Sequence, residues 1–298
     1  MSTPGLPRRS IAIVSPALAA ANTGNWHTAA RWARFLRSHY RPRVLGQWRG
    51  PEDGDPDALI ALHARRSAAS IDAFAHAHPA RPLVVVLTGT DLYRDIRSDA
   101  DAQRSLRQAT RLVVLQEQGL AELPAPLRGK AAVIVQSARA LRPAAKPASR
   151  LCAVMAGHLR EEKDPLAFMA AARRLAHRSE LHFEHIGRAL DPALADAARA
   201  TERANPRYRW LGELPRAATR QRIRRAHLLV NASRMEGGAQ VVIEAARSGT
   251  AVLASRIGGH VGLLGADYEG WFESGDADAL ARLIERAHDD RAFLARLG

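Results

Sequence analysis

The sequence has little of what stabilises small secreted domains or carries a chain through a membrane. Its 298 residues include a single cysteine, Cys152, which excludes a disulfide within the chain and is typical of a reducing compartment. No run of about 18 residues is both apolar and free of charge, as a membrane-spanning helix must be. Aromatic residues make up only 5% of the chain, which is few for stacking on nucleic-acid bases. These absences predict a cytoplasmic protein with no membrane insertion.

Lysine is also scarce, since only Lys130, Lys146 and Lys163 are present, whereas arginine is abundant. The 44 Lys and Arg residues against 30 Asp and Glu residues give a formal net charge of +14. An excess of this size favours an anionic partner such as a phosphate ester, a nucleotide or a nucleic acid. The arginines are scattered and form no basic tail, so we expect no nucleic-acid partner. Arginines that only solvate helix faces are the alternative explanation.

Short apolar runs alternate with longer Ala-, Leu- and Arg-rich stretches, which is typical of βα units that form parallel sheets. Strands are predicted at 11–14, 43–45, 59–62, 83–87, 112–115, 132–135, 151–156, 181–186, 208–211, 227–231 and 251–254. Helices are predicted at 27–38, 65–76, 103–109, 165–177, 217–226, 239–248 and 276–288. A Pro- and Ala-rich stretch, 141–149, has no apolar periodicity and is predicted to be a linker. The pattern therefore predicts an α/β protein of two doubly wound, Rossmann-like domains, 1–146 and 147–298, with the ligand at the carboxyl ends of the strands.

The amino-terminal segment has two interpretations. Arg8 and Arg9, the apolar run 11–14 and the small residues Ala19–Ala21 are compatible with a twin-arginine signal and its cleavage site. The same run is also compatible with the first buried strand of an α/β domain. Pro16 interrupts the apolar stretch and a βα unit follows at once, so we favour the strand.

A Gly-rich turn, 236–240, follows the predicted strand 227–231 and leads into a helix that carries Glu244. Backbone N–H groups at such a turn bind phosphate, and glycines allow a ligand to approach the backbone closely. The carboxylates of Glu236 and Glu244 are good acceptors for sugar and ribose hydroxyls. The turn therefore favours a ligand that combines phosphate with hydroxyl groups. An ordinary turn with a solvated Glu244 is the alternative.

Glu236 and Glu244, with seven residues between them, resemble the donor-binding signature of the family 4 retaining glycosyltransferases. The stretches 254–259 and 273–276 resemble further parts of that signature, and 157–165 is similar to the family's diphosphate clamp. The resemblance spans the second half of the chain. It implies a GT-B fold, in which two Rossmann-like domains face each other across a cleft and the carboxyl-terminal domain holds a nucleotide-sugar donor.

The resemblance also implies roles for individual residues. Lys163 would pair with the donor diphosphate, Glu244 would bind the ribose hydroxyls, and Glu236 would contact the transferred sugar. The family usually has Arg where His158 stands, a departure that weakens the clamp unless His158 is protonated or Arg160 replaces it. The residues assigned to the donor are Gly24, Asn25, Arg160, Lys163, Glu236, Gly237, Gly238, Ala239, Gln240 and Glu244, and the catalytic set is Glu236, Lys163 and His158.

The segment Thr88–Leu92 resembles a family element that normally begins with His, which helps at the reacting sugar. A hydroxyl acceptor generally needs a base, whereas an acceptor already ionised at neutral pH needs cationic residues instead. Thr at position 88 thus favours an ionised acceptor. The acceptor-side candidates are His27, Thr88, Thr90, Asp91 and Arg94.

The segments 23–32, 87–93 and 135–138 resemble one compact, Arg-rich branch of this family, the selenosugar synthases of selenoneine biosynthesis (SenB type). This resemblance implies that selenophosphate attacks a UDP-hexose, UDP-GlcNAc or UDP-glucose, to give a 1-seleno sugar, UDP and phosphate. It implies no bound metal and no cofactor. Two alternatives remain: a family 4 enzyme with a glycan or lipid hydroxyl as acceptor, and a basic nucleotide- or nucleic-acid-binding protein on a relic fold.

Overall fold

The computed structural model describes residues 8–18 and 24–298, which form two compact units: the described residues up to Gln136 form the first, and Ser137–Gly298 form the second. The proposed cleavage site at Ala19–Ala21 lies outside the described residues, as does Thr23 of the segment that resembles the selenosugar synthases. Within the described part of the chain, no helix has the length and apolarity that crossing a bilayer requires.

The first unit is a six-stranded parallel sheet with the strand order β2-β1-β3-β4-β5-β6. Its strands are β1 Ser10–Val14, β2 Arg41–Leu45, β3 Ala58–Leu62, β4 Leu83–Val86, β5 Arg111–Val114 and β6 Ala131–Val133. Its helices are α1 Gly24–Leu36, α2 Ala68–Ala77, α3 Ile96–Ser98, α4 Ala100–Gln108 and α5 Gly119–Glu122. Alternate residues of β1 bury on opposite faces: Ile11 and Ile13 pack with α1, and Ala12 and Val14 belong to the core of α2 and α4. The unit is therefore doubly wound.

The second unit is also a six-stranded parallel sheet, with the order β12-β11-β10-β7-β8-β9. Its strands are β7 Leu151–Ala156, β8 Leu181–Ile186, β9 Tyr208–Trp210, β10 Leu228–Asn231, β11 Ala251–Ser255 and β12 Trp271–Phe272. Its helices are α6 Pro165–Arg174, α7 Pro192–Ala204, α8 Arg216–Arg225, α9 Gln240–Ala246, α10 Gly258–Leu264, α11 Ala277–Asp289 and α12 Arg291–Arg296. One core lies under α6, α7, α11 and α12, and a second lies under α8, α9 and α10.

The predicted fold class is confirmed, because both units are doubly wound parallel α/β structures. Each of the eleven predicted strands overlaps an observed one, and the strand interpretation of 11–14 is correct, since β1 pairs with both β2 and β3. The sequence did not predict β12, α3, α5, α7, α10 or α12. β12 has only two residues, which is too short to stand out as an apolar run.

The stretch 141–149, predicted to be a linker, is packed on the second unit. The backbone N–H of Leu141 donates to the carbonyl of Arg247 at 2.9 Å, and Nζ of Lys146 donates to the carbonyl of Gly249 at 2.7 Å. The division between the units therefore precedes this stretch, because its polar groups are satisfied by loops of the second unit.

Candidate functional site

Two predicted residues meet at the carboxyl edge of the second sheet. Glu236 lies in the turn between β10 and α9, and Lys163 ends a short 3₁₀ turn, Glu161–Lys163, that follows β7. β7 and β10 are neighbours in the sheet, so the loops that follow them are adjacent. Nζ of Lys163 donates a hydrogen bond to Oε1 of Glu236.

The Glu236 carboxylate is buried and bound on one side. Oε1 also accepts from Oγ of Ser233 at 2.8 Å and lies 3.4 Å from Nδ2 of Asn231. Ser233 and Asn231 in turn contact each other through Oγ and Oδ1 at 2.6 Å. An ionised carboxylate accepts about four hydrogen bonds, so Oε2 keeps the capacity to accept from a ligand hydroxyl.

The charge of Glu236 is set by two opposing effects. Burial disfavours the ionised form, but the positive charge of Lys163, the charge that His260 carries when it is protonated, and the hydrogen bonds from Lys163 and Ser233 outweigh it and lower the pKa of Glu236 to about 2. His260 from α10 lies nearby, and burial lowers its pKa below the usual value. At neutral pH the site therefore holds an ionised Glu236 beside a neutral His260.

This depressed pKa predicts a specific loss of stability in acid. The unfolded-state pKa of a Glu is about 4.3, so the contribution of Glu236 to stability is complete above that pH and declines as the pH falls towards 2. The measurement is urea unfolding of wild type and Glu236→Gln between pH 7 and pH 3. Below pH ~4.3, the free energy of unfolding of wild type should fall, relative to that of Glu236→Gln, by up to about 1.4 kcal/mol for each pH unit. A stability difference between the two proteins that does not change with pH would contradict the prediction.

Glu244 is buried on α9 and is held by two arginines of α8. Nη2 of Arg216 donates to Oε1 at 2.8 Å, and Nε of Arg220 lies 3.9 Å from the same oxygen. Nε2 of Gln240 lies 3.4 Å from it. The alternative in which Glu244 is a solvated helix residue is wrong, since only 4% of it is exposed.

His158 follows β7 and accepts a hydrogen bond at Nδ1 from the backbone N–H of Arg188, at 3.1 Å. Because this bond uses the Nδ1 lone pair, the imidazole is neutral and carries its proton on Nε2. In this tautomer Nε2 is an N–H donor, and the ring adds no positive charge to the predicted clamp. Nε of Arg160, the predicted substitute, lies 3.9 Å from Oε2 of Glu162.

Gly24 and Asn25, predicted to bind the donor, precede the predicted helix 27–38, but they lie in the first turn of α1. Oγ1 of Thr28 donates to the carbonyl of Gly24 at 2.9 Å and accepts from Nε2 of Gln136 at 2.7 Å. The helix therefore begins at Gly24 and not at the predicted residue 27, and the Thr28 hydroxyl joins its first turn to Gln136. His27 lies in the same turn and is half-buried.

Among the acceptor-side candidates, Asp91 has a structural position. It is fully buried, and its Oδ1 accepts from the backbone N–H groups of Thr88 and Gly89, each at 2.9 Å. Its Oδ2 accepts from the backbone N–H of Ala64 at 3.0 Å. Asp91 therefore fixes the loops after β3 and β4, and leaves Thr88 and Thr90 half-buried beside it.

Sequence reasoning missed a buried histidine in this region. His63 directly follows β3 with a φ of 75°, and its Nε2 lies 3.0 Å from Oγ1 of Thr90. The signal that could have found it is its place at the carboxyl end of a predicted strand. Other functional neighbours that were missed are Asn231, Ser233, His260, Arg216 and Arg220.

Residues 138–298 match the family model "Glycosyl transferases group 1". No protein of curated function matches the chain. Among solved structures, sucrose-phosphate synthase from Thermosynechococcus elongatus has a TM-score of 0.76 at 16% identity, with 97% of this chain and 92% of that one covered. Anabaena HepE with UDP and glucose has a TM-score of 0.72 at 15% identity, with the same two coverages.

A Staphylococcus aureus TarM mutant in complex with fondaparinux, alpha-GlcNAc-glycerol and UDP has a TM-score of 0.66 at 12% identity. That alignment covers 80% of this chain and 50% of TarM, so the chain spans about half the length of that relative. These likenesses show the GT-B fold. Because the family match covers more than half of the sequence and includes Lys163, Glu236 and Glu244, the chain belongs to the group 1 glycosyl transferases.

Proposed function

We propose that this glycosyltransferase is a cytoplasmic enzyme that transfers a hexose, GlcNAc or glucose, from its UDP-sugar to selenophosphate with retention of configuration. The observation that carries the proposal is the ion pair between the half-buried Lys163 and the buried Glu236. It brings a cation for a diphosphate and an ionised acceptor for sugar hydroxyls to one sheet edge.

The donor half of the proposal follows from the hydrogen-bonding capacity of these groups. Lys163 has three N–H donors, so it can contact Glu236 and a diphosphate oxygen at the same time. Glu236 would accept from the sugar through Oε2, and Glu244, held by Arg216, would accept from the ribose. UDP in the structures of TarM and HepE supports uracil as the donor base.

In the proposed reaction, selenium of selenophosphate attacks the anomeric carbon from the face that the leaving group occupies. The bond from that carbon to the diphosphate oxygen breaks, and its electron pair leaves with UDP. Lys163 stabilises the charge that develops on the diphosphate. Water then cleaves the phosphorus–selenium bond, which releases phosphate and leaves the 1-seleno sugar. We propose no metal or cofactor for either step.

The test is UDP release, followed by mass spectrometry, with UDP-GlcNAc or UDP-glucose in the presence and absence of selenophosphate. We expect release that depends on selenophosphate, together with a selenium-bearing sugar. Glu236→Ala should lower the rate by at least about 100-fold, because an interaction with the reacting sugar is lost. Glu117→Ala, which removes an exposed carboxylate of the first unit, is the matched control and should leave the rate unchanged.

Each contrary result is informative. UDP release that increases with alcohols and not with selenophosphate would show that the acceptor is a glycan or lipid hydroxyl. Failure of wild type to bind or turn over any UDP-sugar would overturn the enzyme assignment. In that case, RNA or DNA binding with a steep dependence on salt would favour the basic binding protein.

A further inference from the structure

A buried polar cluster in the first unit lies at the carboxyl ends of β3 and β4. It is built around His63, of which only 2% is exposed. Thr90, Asp91 and Asp95 approach the imidazole from the loop after β4 and from the π-helical turn Asp91–Asp95. None of these residues belongs to the donor site, so the cluster needs a separate explanation.

The hydrogen bonds of His63 determine which nitrogen carries the proton. The backbone N–H of Arg66 donates to Nδ1 at 3.3 Å, so Nδ1 uses its lone pair and is unprotonated. The proton of the neutral ring is then on Nε2, which faces Oγ1 of Thr90 at 3.0 Å and Oδ2 of Asp95 at 3.9 Å. Burial lowers the pKa of His63, with Asp91 opposing this effect and Arg66 adding to it. His63 is therefore a neutral donor to Thr90.

This donation fixes the role of the threonine hydroxyl. Because Oγ1 accepts from His63, the hydrogen of the Thr90 hydroxyl is available to donate to another group. Thr90 is half-buried, so its side chain is within reach of a ligand.

The charges around Thr90 favour an anionic ligand. Arg65 and Arg94 donate to opposite oxygens of Asp95, at 2.9 and 3.2 Å, and Asp91 is occupied by backbone N–H groups. Arg66 adds a third cation against the two carboxylates. The cluster thus has a net positive charge beside a hydroxyl donor, which suits an oxyanion and not a hydroxyl that must lose a proton.

We infer that the Thr90 hydroxyl donates a hydrogen bond to an ionised oxygen of a phosphate-type acceptor, and that His63 is a positioning residue for this hydroxyl and not a general base. The inference rests on the proposed function for the identity of the acceptor. It adds the residue that recognises the charge of that acceptor and the residue that orients it.

The first test compares Thr90→Val, which keeps the shape of the side chain but loses the hydroxyl, with Thr90→Ser, which keeps the hydroxyl. Loss of one hydrogen bond to a charged group should raise the KM for selenophosphate by about 10- to 100-fold in Thr90→Val. Thr90→Ser should stay within a few-fold of wild type. The Kd for UDP, measured by calorimetry, should not change in either variant. Equal KM values in the Val and Ser variants would overturn the inference.

The second test separates positioning from base catalysis. Asn at position 63 tolerates a positive φ but cannot act as a base, so His63→Asn keeps the backbone conformation. The groups that face His63, namely Asp91, Asp95, Arg65 and Arg66, are unchanged. Ionisation of the acceptor affects both proteins equally, so it does not change the ratio of the wild-type kcat/KM to the His63→Asn kcat/KM. We expect this ratio to be constant from pH 5 to pH 8. A ratio that rises with pH as the imidazole loses its proton would show that His63 is a base.

Two direct measurements do not depend on turnover. Two-bond ¹⁵N–¹H correlations, assigned by their loss in His63→Asn, should identify the tautomer protonated at Nε2, and a tautomer protonated at Nδ1 would overturn the inference. Inorganic phosphate, titrated into wild type and both Thr90 variants, should bind wild type and Thr90→Ser but not Thr90→Val. Phosphate binding that depends on the hydroxyl, without turnover of selenophosphate, would leave this inference standing while the proposed function fails. Turnover of selenophosphate by wild type, together with phosphate binding that does not depend on residue 90, would overturn this inference and leave the proposed function standing.

Discussion

Replacing Lys163 with Met should lower the free energy of unfolding by about 3 to 5 kcal/mol and abolish sugar transfer. Met has a similar length, so it removes the charge with little change in volume. The Glu236 carboxylate would remain buried without its cation, which is far more costly than the loss of an exposed ion pair. Urea unfolding at pH 7 measures the stability, and UDP release measures the transfer.

The double variant Lys163→Met/Glu236→Gln is the control for this prediction. With both charges removed, no buried ion lacks a partner, so most of the stability should return while transfer remains absent. This pair of results would separate the electrostatic cost of Glu236 from the part of Lys163 in the reaction. A loss of less than about 1 kcal/mol in Lys163→Met, as for exposed ion pairs, would show that the carboxylate does not depend on Lys163.

The strands of both sheets could be predicted because strands covered on both faces appear in sequence as short, continuous apolar runs. β7 and β8 were predicted with their observed bounds, Leu151–Ala156 and Leu181–Ile186. α7, Pro192–Ala204, was missed although Asp191 caps it and Pro192 begins it. Only four of its side chains are buried, so its apolar stripe is narrow and its alanines carry little periodic signal.

The candidate site was predicted in part. Lys163, Glu236 and Glu244 were found through their neighbours in sequence, but their mutual contacts depend on the order of strands in the sheet. Lys163 and Glu236 are 73 residues apart and meet only because β10 lies beside β7. Arg216 reaches Glu244 through the packing of α8 against α9, which no local pattern contains.

His63 was overlooked for a related reason. Thr88 stands after β4 where the resembling family has a histidine, and this difference alone favoured an ionised acceptor. In the structure the adjacent strand, β3, supplies one, and its Nε2 reaches Thr90 of the loop after β4. Strand adjacency, which a linear motif does not contain, brings the two together.

A single methyl group at position 259 should be enough to displace Glu236. A Cβ added to Gly259 would lie 1.9 Å from the carbonyl oxygen of Glu236 and 2.9 Å from its carbonyl carbon. Because the clash is with backbone, no side-chain rotation relieves it, and either α10 or the turn that carries Glu236 must move. We expect Gly259→Ala to cost about 3 kcal/mol of stability and to lower kcat/KM for the donor by about 100-fold, since a catalytic group displaced by about 1 Å has an effect of this size.

The matched control is Gly129→Ala, which adds the same methyl group where nothing lies within 4 Å. Gly259 and Gly129 both lie outside the positive-φ region, so a difference between the two variants reports the steric contact and not a backbone preference. Thermal unfolding and UDP release should change only in Gly259→Ala. If that variant kept its activity but lost stability, the turn would hold Glu236 in place independently of α10. If it kept both, the close approach of α10 to the Glu236 carbonyl would not be needed to position the carboxylate.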